Sequence, residues 1–307
     1  MAKNLNEIIE APKEINLMSS NDINEYWTKE RMMNAIPLEI PTSTIEEPET
    51  PSSTLSSNKE EIVKKMILPD DIVSTSDCQE IIENVDSTHG KFLTKKVDNI
   101  HVYPYRAVGK LFMTFNGQDY QGSAWTIAES AIFTAGHCVH DSQLGGWATN
   151  IMFAVGYSNG TYTKAWIVKN KISLNGWVNN RDFKYDLAVC IMDSPVRPTT
   201  GTLGWVAHLS PANITYMGIG YPVVPIPGYD FDGKYMWQST GEYINGTEII
   251  KMHNNMTGGC SGGPWVTKYN NGIYANGINS HRMSNENETM KSPYFGEGFI
   301  NLYNKVK

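Results

Sequence analysis

From about residue 103 the sequence divides into short apolar runs, rich in β-branched and aromatic residues and each bounded by a turn. The clearest runs span residues 105–115, 122–127, 131–135, 150–157, 163–169, 185–192, 214–221, 247–253, 264–269, 273–280 and 294–300. Asn-Gly and Asp-Gly pairs punctuate them, and helical periodicity is almost absent before residues 300–307. This pattern predicts a closed all-β architecture of sandwich or barrel type, ending in a short C-terminal helix.

The first 96 residues have a different texture. Within them, residues 41–61 read PTSTIEEPETPSSTLSSNKEE, a composition typical of a disordered linker. Residues 25–40 hold a tryptophan and several apolar side chains, which favours an extended or helical arm docked on the main domain. We therefore expect a largely disordered leader or pro-segment over 1–96, followed by one folded domain of two barrels over 97–307.

Composition excludes several classes of function. A formal net charge of -7 argues against a general nucleic-acid binder. No apolar run reaches the roughly 18 residues that a membrane span needs. The N-terminus lacks the apolar segment of a secretory signal peptide, which leaves the localisation open. The cysteines show no CxxC pair and no carboxylate cluster has EF-hand spacing, so we expect no metal and no cofactor. These cysteines are Cys78, Cys138, Cys190 and Cys260.

The glycine-rich stretch TGGCSGGPW, residues 257–265, points to nucleophilic catalysis. A serine hydroxyl is a weak nucleophile that needs an adjacent base and an exposed backbone setting. Flanking glycines permit unusual backbone angles and leave amide N–H groups uncovered. If the N–H groups of Gly259 and Ser261 converge, they can stabilise the oxyanion of a tetrahedral intermediate. The alternative for this stretch alone is a glycine-rich hairpin with an incidental serine.

Two further stretches supply a base and a carboxylate. His137 follows a short apolar run in IFTAGHCVHD, and an imidazole with a pKa near 6.5 suits proton transfer at neutral pH. Asp186 opens the apolar run in KYDLAVCIM, where a carboxylate is costly unless it is paired. A hydrogen bond to His137 would satisfy Asp186 and fix the tautomer of the imidazole. Taken singly, the histidine reads as structural and the aspartate as a strand cap.

The order His–Asp–Ser, with the local contexts TAGHC, YDLAV and GGCSGGP, resembles the trypsin-like serine proteases of the chymotrypsin clan. VYPYRAV at 102–108 and NGINS at 276–280 are similar to the bacterial glutamyl endopeptidase branch of that family. The resemblance covers roughly residues 97–305. It implies two six-stranded antiparallel barrels with the active site between them, polypeptide substrates, the chain's own pro-segment as a partner, and a monomer.

The resemblance also implies a substrate pocket, at which this chain departs from its relatives. Asn255 stands where trypsin-type enzymes carry an aspartate at the pocket floor, and Asn279 stands where glutamyl endopeptidases carry a histidine. His281 and Arg282 follow closely, and either can supply positive charge to a Glu or Asp side chain or point into solvent. Ser280 falls where family members place a serine that contacts the catalytic aspartate, or it is an ordinary strand residue.

The cysteines leave further alternatives. Cys260 directly precedes Ser261, where related zymogens carry the aspartate of an activating ion pair, so activation by that pair is not expected. A Cys260 nucleophile is a minor alternative. Cys138 is either free or paired with Cys190. For the whole chain, the main hypothesis is a serine endopeptidase with a possible preference for acidic residues, and the alternative is a catalytically silent binding module with the trypsin fold.

Overall fold

A computed structural model describes residues 4–15, 19–43, 59–71, 91–211 and 213–307. Most of the predicted linker at 41–61 and the residue Cys78 lie outside these ranges. None of the helices in the described ranges is long and apolar enough to cross a membrane.

Short strands dominate the described chain. The strands are β1 (Ile8–Glu10), β2 (Ile36–Pro37), β3 (Thr42–Ser43), β4 (Ile62–Lys64), β5 (Phe92–Lys96), β6 (Val108–Phe115), β7 (Gln118–Ala128), β8 (Ala131–Thr134), β9 (His140–Asp141), β10 (Gly146–Trp147), β11 (Thr149–Val155), β12 (Lys164–Leu174), β13 (Ala188–Met192), β14 (Gly204–Ala207), β15 (Thr215–Gly220), β16 (Trp237–Gly246), β17 (Ile249–His253), β18 (Pro264–Tyr269), β19 (Gly272–Ile278), β20 (Arg282–Met283) and β21 (Thr289–Pro293). The α-helices are α1 (Ser20–Tyr26), α2 (Lys29–Asn34), α3 (Asn175–Asn180), α4 (Arg197–Thr200) and α5 (Glu297–Asn304). The predicted all-β class is confirmed.

The first barrel closes through six antiparallel strands. Their order is β12-β11-β6-β7-β8-β13, and pairing between β12 and β13 completes the circle. Its interior is filled by large aromatic side chains, including Phe112, Trp125, Phe133 and Phe153, all of them fully buried. Such a closed sheet has no free edge among its own strands.

The second half of the domain is a sheet with the strand order β21-β17-β16-β15-β18-β19-β14-β4, to which β5 adds by pairing with β16. Met217, Ile219, Val266 and Ile278 from this sheet belong to the same buried apolar cluster as the interior of the first barrel. Together the two units form the chymotrypsin-like double barrel. Because one apolar core is shared by both halves, the position of one half relative to the other is fixed by packing.

The described parts of the leader are folded, which corrects the expectation of a largely disordered segment for those residues. Strands β1 to β5 each add to a strand of the domain, namely β12, β7, β20, β14 and β16. Residues 25–40 dock as predicted for an arm, first helical and then extended. Ser19 and Asp22 form a capping box at the start of α1, and Thr28 caps α2. Backbone pairing explains why these leader segments are ordered despite their polar composition, because strand pairing needs no particular side chain.

The helix α5 confirms the predicted C-terminal helix and links the two halves. It follows β21 of the second sheet, yet its residue Phe299 lies 5.0 Å from the ring of Phe133 in the first barrel. Phe299 also stacks on Phe295 with ring centroids 4.0 Å apart. Phe299 and Leu302 are fully buried.

Candidate active site

Strand pairing in the first barrel brings His137 and Asp186 together. In the antiparallel pair of β8 and β13, Thr134 lies opposite Ala188. His137 follows three residues after Thr134 in a short 3-10 turn, and Asp186 precedes Ala188 by two residues. Both therefore emerge at the same end of the barrel. Ser261 comes from the second half, in the loop between β17 and β18.

Asp186 is fully buried and its carboxylate accepts three hydrogen bonds. Oδ1 accepts the backbone N–H of His137 at 2.7 Å. Oδ2 lies 2.8 Å from Nδ1 of His137 and accepts the hydroxyl of Ser280 at 2.5 Å. Although burial alone would raise the pKa of this carboxyl, these bonds and the imidazole lower it below 3.8. Asp186 is therefore ionised at neutral pH.

The ionised carboxylate fixes the protonation pattern of His137. Because a carboxylate only accepts, Nδ1 carries a hydrogen, and in the neutral ring Nε2 presents a lone pair. Burial opposes a charged ring, but the negative charge of Asp186 outweighs it and raises the pKa of His137 well above 6.5. The imidazole is thus oriented and made more basic by its neighbour, as a general base requires.

Close packing explains why the residue before His137 is a glycine. A Cβ on Gly136 would lie 2.7 Å from the Trp177 ring and 3.0 Å from Oδ1 of Asp186. The glycine therefore allows the imidazole turn, the indole and the carboxylate to meet closely. Trp177 also donates its Nε1–H to His140 O at 2.7 Å, which anchors the wall of this site.

The loop between β17 and β18, residues 254–263, carries the predicted nucleophile Ser261 and is here called the nucleophile loop. It is held against the first barrel by its backbone. Ser123 N–H on β7 donates to Ser261 O at 2.8 Å, and the Ser123 hydroxyl donates to Gly259 O at 3.0 Å. The thiol of Cys138, next to His137, lies 3.6 Å from the same Ser261 oxygen. These contacts place the loop directly beside the histidine turn. Sequence reasoning missed Ser123, which nothing in the run GSAW distinguishes from an ordinary strand residue.

The two reactive atoms of the candidate triad are left without partners. Ser261 Oγ and His137 Nε2 are both buried, and neither makes a hydrogen bond within the described residues. In resting enzymes the bond between nucleophile and base is often long and tightens only when substrate is bound. The arrangement has the base oriented and the hydroxyl nearby, with the final bond still unformed.

Gly259 has φ +96°, a left-handed backbone conformation that disfavours a side chain. Its Cβ would also lie 2.6 Å from Tyr221 O. The Gly259 N–H donates to Leu38 O of the leader at 3.1 Å. The amide predicted for the oxyanion hole is therefore occupied by a carbonyl group in the intact chain.

Two of the predicted pocket residues have amide side chains that are used inside the protein. Asn279 accepts the Trp265 Nε1–H at 2.8 Å and donates to Cys260 O and Ile219 O, both at 3.2 Å. It braces the nucleophile loop. Asn255 is 3% exposed, and its Oδ1 lies 2.7 Å from the Thr94 hydroxyl on β5.

His281 stacks on Phe183, with ring centroids 4.1 Å apart and planes inclined by 16°. It is 1% exposed, and burial lowers its pKa to about 3. Because Ser280 gives its hydroxyl hydrogen to Asp186, Nδ1 of His281 donates to Ser280 Oγ at 2.9 Å. The ring is neutral at physiological pH, so it offers no positive charge to an acidic substrate.

Arg282 is buried beside the nucleophile loop and keeps one unused donor. Its guanidinium donates to Met256 O and, at 3.3 Å, to Asn287 O. Nε has no hydrogen-bond partner, and no carboxylate of the described residues pairs with this side chain. Buried charges are normally paired, so this guanidinium lacks a counter-charge that a ligand could bring.

Cys260 belongs to the apolar cluster of the second half, and burial raises the pKa of its thiol to about 12. A thiol in that state is a poor nucleophile, which counts against the minor alternative of Cys260 catalysis. Cys138, Cys190 and Cys260 are all free, so the alternative of a Cys138–Cys190 disulfide is wrong.

The leader, which the sequence predicts as a partner of the domain, also lines this site. Residues 36–42 line a cavity of ≈570 Å3 together with His137, Asp141 and Arg181. Leu38 and Ile40 are 3% and 8% exposed, whereas Ile36 is 42% exposed. Apolar residues at the alternate positions Leu38 and Ile40 are a weak sequence signal of this docking.

Comparisons with known proteins find proteases among the similar sequences and structures. The glutamyl endopeptidase of Bacillus licheniformis is 24% identical over 185 residues, which span 59% of this chain and 55% of that protein. The protease Anisep from Arthrobacter nicotinovorans has 27% identity and a TM-score of 0.61, covering 70% of this chain and 99% of its own. A thermostable serine protease from an extremophilic microorganism has 29% identity and a TM-score of 0.59, covering 65% and 96%. No family profile matches the sequence.

A double barrel with a serine-bearing loop beside a paired histidine and aspartate is the arrangement of chymotrypsin-like serine proteases. The chain is similar to trypsin-like serine proteases, and among them to a glutamyl endopeptidase. The match spans about half the length of the curated relative, 55%.

Proposed function

We propose that this protein is a serine endopeptidase that hydrolyses peptide bonds through an acyl-enzyme on Ser261. The proposal is carried by one observation, the buried hydrogen-bonded array in which Asp186 orients His137 and leaves its Nε2 free beside the nucleophile loop. Its substrates are polypeptides, its residues 1–96 are a pro-segment, and it acts as a monomer.

In the first half-reaction, His137 Nε2 accepts the Ser261 hydroxyl proton as Oγ attacks the substrate carbonyl. The N–H groups of Gly259 and Ser261 stabilise the resulting oxyanion, and loss of one such donor costs about 3 kcal/mol in the transition state. The imidazolium then protonates the leaving amine. Water, activated by the same nitrogen, hydrolyses the ester and regenerates Ser261. Asp186 remains ionised and stabilises the imidazolium throughout.

A preference for acidic substrate residues follows from Arg282 and not from His281. Arg282 is a buried cation without a carboxylate partner among the described residues, and it lies next to Met256 and Cys260 at the nucleophile loop. A Glu or Asp side chain entering there would supply the missing counter-charge. His281 is neutral and stacked on Phe183, so its contribution is to the position of Ser280.

The experiment that tests the activity is labelling with a fluorophosphonate probe, before and after removal of the leader. We expect labelling that disappears in Ser261→Ala and persists in Cys260→Ala. Labelling that disappears only in Cys260→Ala would move the nucleophile to the cysteine. A complete lack of labelling after leader removal, in a folded protein, would leave the silent binding module as the explanation.

A further inference from the structure

We propose that residues 36–43 of the leader, here called the cleft strand, occupy the active-site cleft of the intact chain and keep the enzyme inactive until they are displaced. The inference rests on the proposed function, and it identifies the group that blocks the catalytic site. Three successive contacts carry it, one on each side of the cleft and one at its centre.

On the side of the first barrel, the cleft strand adds to β7. Ile36 and Pro37 pair in parallel with Tyr120 and Gln121, and Leu38 N–H donates to Gln121 O at 3.0 Å. These are backbone bonds, the same kind that an extended peptide makes when it joins a sheet edge.

At the centre, the Leu38 carbonyl accepts the Gly259 N–H at 3.1 Å. That amide is one of the two donors assigned to the oxyanion. While Leu38 O occupies it, a substrate carbonyl cannot, so the block falls on the group that stabilises the transition state. Among the described residues, Ser261 N–H makes no backbone hydrogen bond to the cleft strand, so Leu38 is not held by both donors as a substrate would be.

On the side of the second half, the cleft strand adds to β20. Arg282 N–H donates to Pro41 O at 3.1 Å, and Thr42 and Ser43 pair in parallel with Arg282 and Met283. Ile40 is 8% exposed and shares an apolar cluster with Met256 and Cys260 beside the nucleophile loop. Its side chain thus packs in the cluster that holds Met256, whose carbonyl accepts a hydrogen bond from the Arg282 guanidinium.

The preceding arm holds the cleft strand in place. Trp27 donates its Nε1–H to Asn150 O at 2.6 Å and its ring lies 5.3 Å from Phe112. Tyr26 donates its hydroxyl to Asp119 at 2.6 Å, and Arg31 forms a 2.7 Å ion pair with the same carboxylate. A strand tethered in this way has a high effective concentration at the cleft, so individually weak backbone bonds suffice for inhibition.

The test uses the full chain with the substitution Ile40→Lys. A lysine at this buried position disfavours docking of the cleft strand, because it places a cation in an apolar cluster. We expect the rate of fluorophosphonate labelling at Ser261 to rise about tenfold or more over the intact chain. Ile36→Lys is the matched control, since Ile36 lies in the same strand but is 42% exposed, and its labelling rate should not change.

Amide hydrogen exchange gives a second readout that does not need activity. The Gly259 amide should be protected in the intact chain and in Ile36→Lys, and should exchange faster in Ile40→Lys while β7 and β18 remain protected. If Ile40→Lys perturbs β7 or β18, Ile40→Ala takes its place, with a smaller rise expected. Equal labelling and equal Gly259 protection in a folded Ile40 variant and the intact chain would overturn the proposal while leaving the protease function in place. Faster Gly259 exchange without labelling in any variant would instead contradict the protease function alone.

Discussion

The polar groups in the cleft are of two kinds. Asp186 and Asn279 are buried and have their hydrogen-bonding capacity used within the protein. His137 Nε2, Ser261 Oγ and Arg282 Nε are equally buried and make no hydrogen bond within the described residues. The two kinds lie within one site, although their residues are widely separated in the sequence.

The difference separates groups that hold geometry from groups that are available to a ligand. A buried polar atom without a partner costs stability, so its presence in a site calls for a reason. Indole nitrogens such as Trp125 Nε1 also lack partners, which shows that the property alone does not define function. What distinguishes the three cleft atoms is that they belong to residues in or beside the nucleophile loop.

Asp186→Asn should have the largest effect on activity, because the hydrogen bonds of the Asp186 carboxylate would no longer all be satisfied. The amide would favour the wrong tautomer of His137 and remove the charge that stabilises the imidazolium. We expect kcat of the leader-free enzyme to fall by about 10^4 with little change in KM. Steady-state kinetics on a peptide substrate measures it, and a fall below about tenfold would mean that His137 is oriented by another group.

The same substitution should also change the pH dependence of stability. The pKa of His137 is raised in the folded state, so its contribution is full below pH 6.5 and is lost as the pH rises through the folded value. The pKa of Asp186 is lowered, so its contribution is present above pH 3.8 and is lost as the pH falls through the folded value.

The His137–Asp186 pair therefore stabilises the fold most between pH 3.8 and pH 6.5. We expect Asp186→Asn to lower the free energy of unfolding by about 3 kcal/mol in that window, and by less above the folded pKa of His137. Urea titrations at a series of pH values measure this difference. A difference that stays constant from pH 4 to 9 would show that the ion pair does not contribute.

Arg282→Gln addresses the unused donor in the cleft. Loss of the cation should reduce kcat/KM for substrates with Glu or Asp at the cleavage position by about 10- to 100-fold relative to apolar ones. His281→Phe is the matched comparison, because the neighbouring ring is neutral, and it should leave that ratio unchanged. A ratio that follows His281 instead would reverse the assignment of the two residues.

Ser280→Ala should have the smallest effect, since it removes one hydrogen bond from a group that keeps two others. We expect kcat to fall about tenfold. The acid limb of the pH profile should move to higher pH, because the negative charge of Asp186 would act more strongly on His137. Ser280→Thr, which retains the hydroxyl, should restore both. An unchanged acid limb in Ser280→Ala would mean that Ser280 is purely structural.

Much of the site could be predicted from sequence because its chemistry lies in short local motifs. The strand before His137 and the strand after Asp186 pair directly, so two motifs that are distant in the chain have a simple structural relation. The fold class followed from the repeated short apolar runs. The C-terminal helix followed from the change of pattern at residue 300.

Other features depend on contacts that a sequence pattern does not record. The cleft strand is held through backbone groups of Leu38 and Pro41, which any residue could supply. The neutral state of His281 comes from burial against Phe183. Ser123 holds two carbonyl groups of the nucleophile loop, a role that requires the barrels to be assembled.

The packing of α5 between the two halves has a consequence for how the protein unfolds. Because Phe299 inserts beside Phe133 while its helix continues from the second sheet, neither barrel has a complete interior alone. Heating should thus melt both halves in a single calorimetric transition, and turnover should vanish at that temperature. Substitutions that change the stability of the first barrel should therefore also change the stability of the second half, which carries the nucleophile loop, because both halves pack against the same aromatic rings.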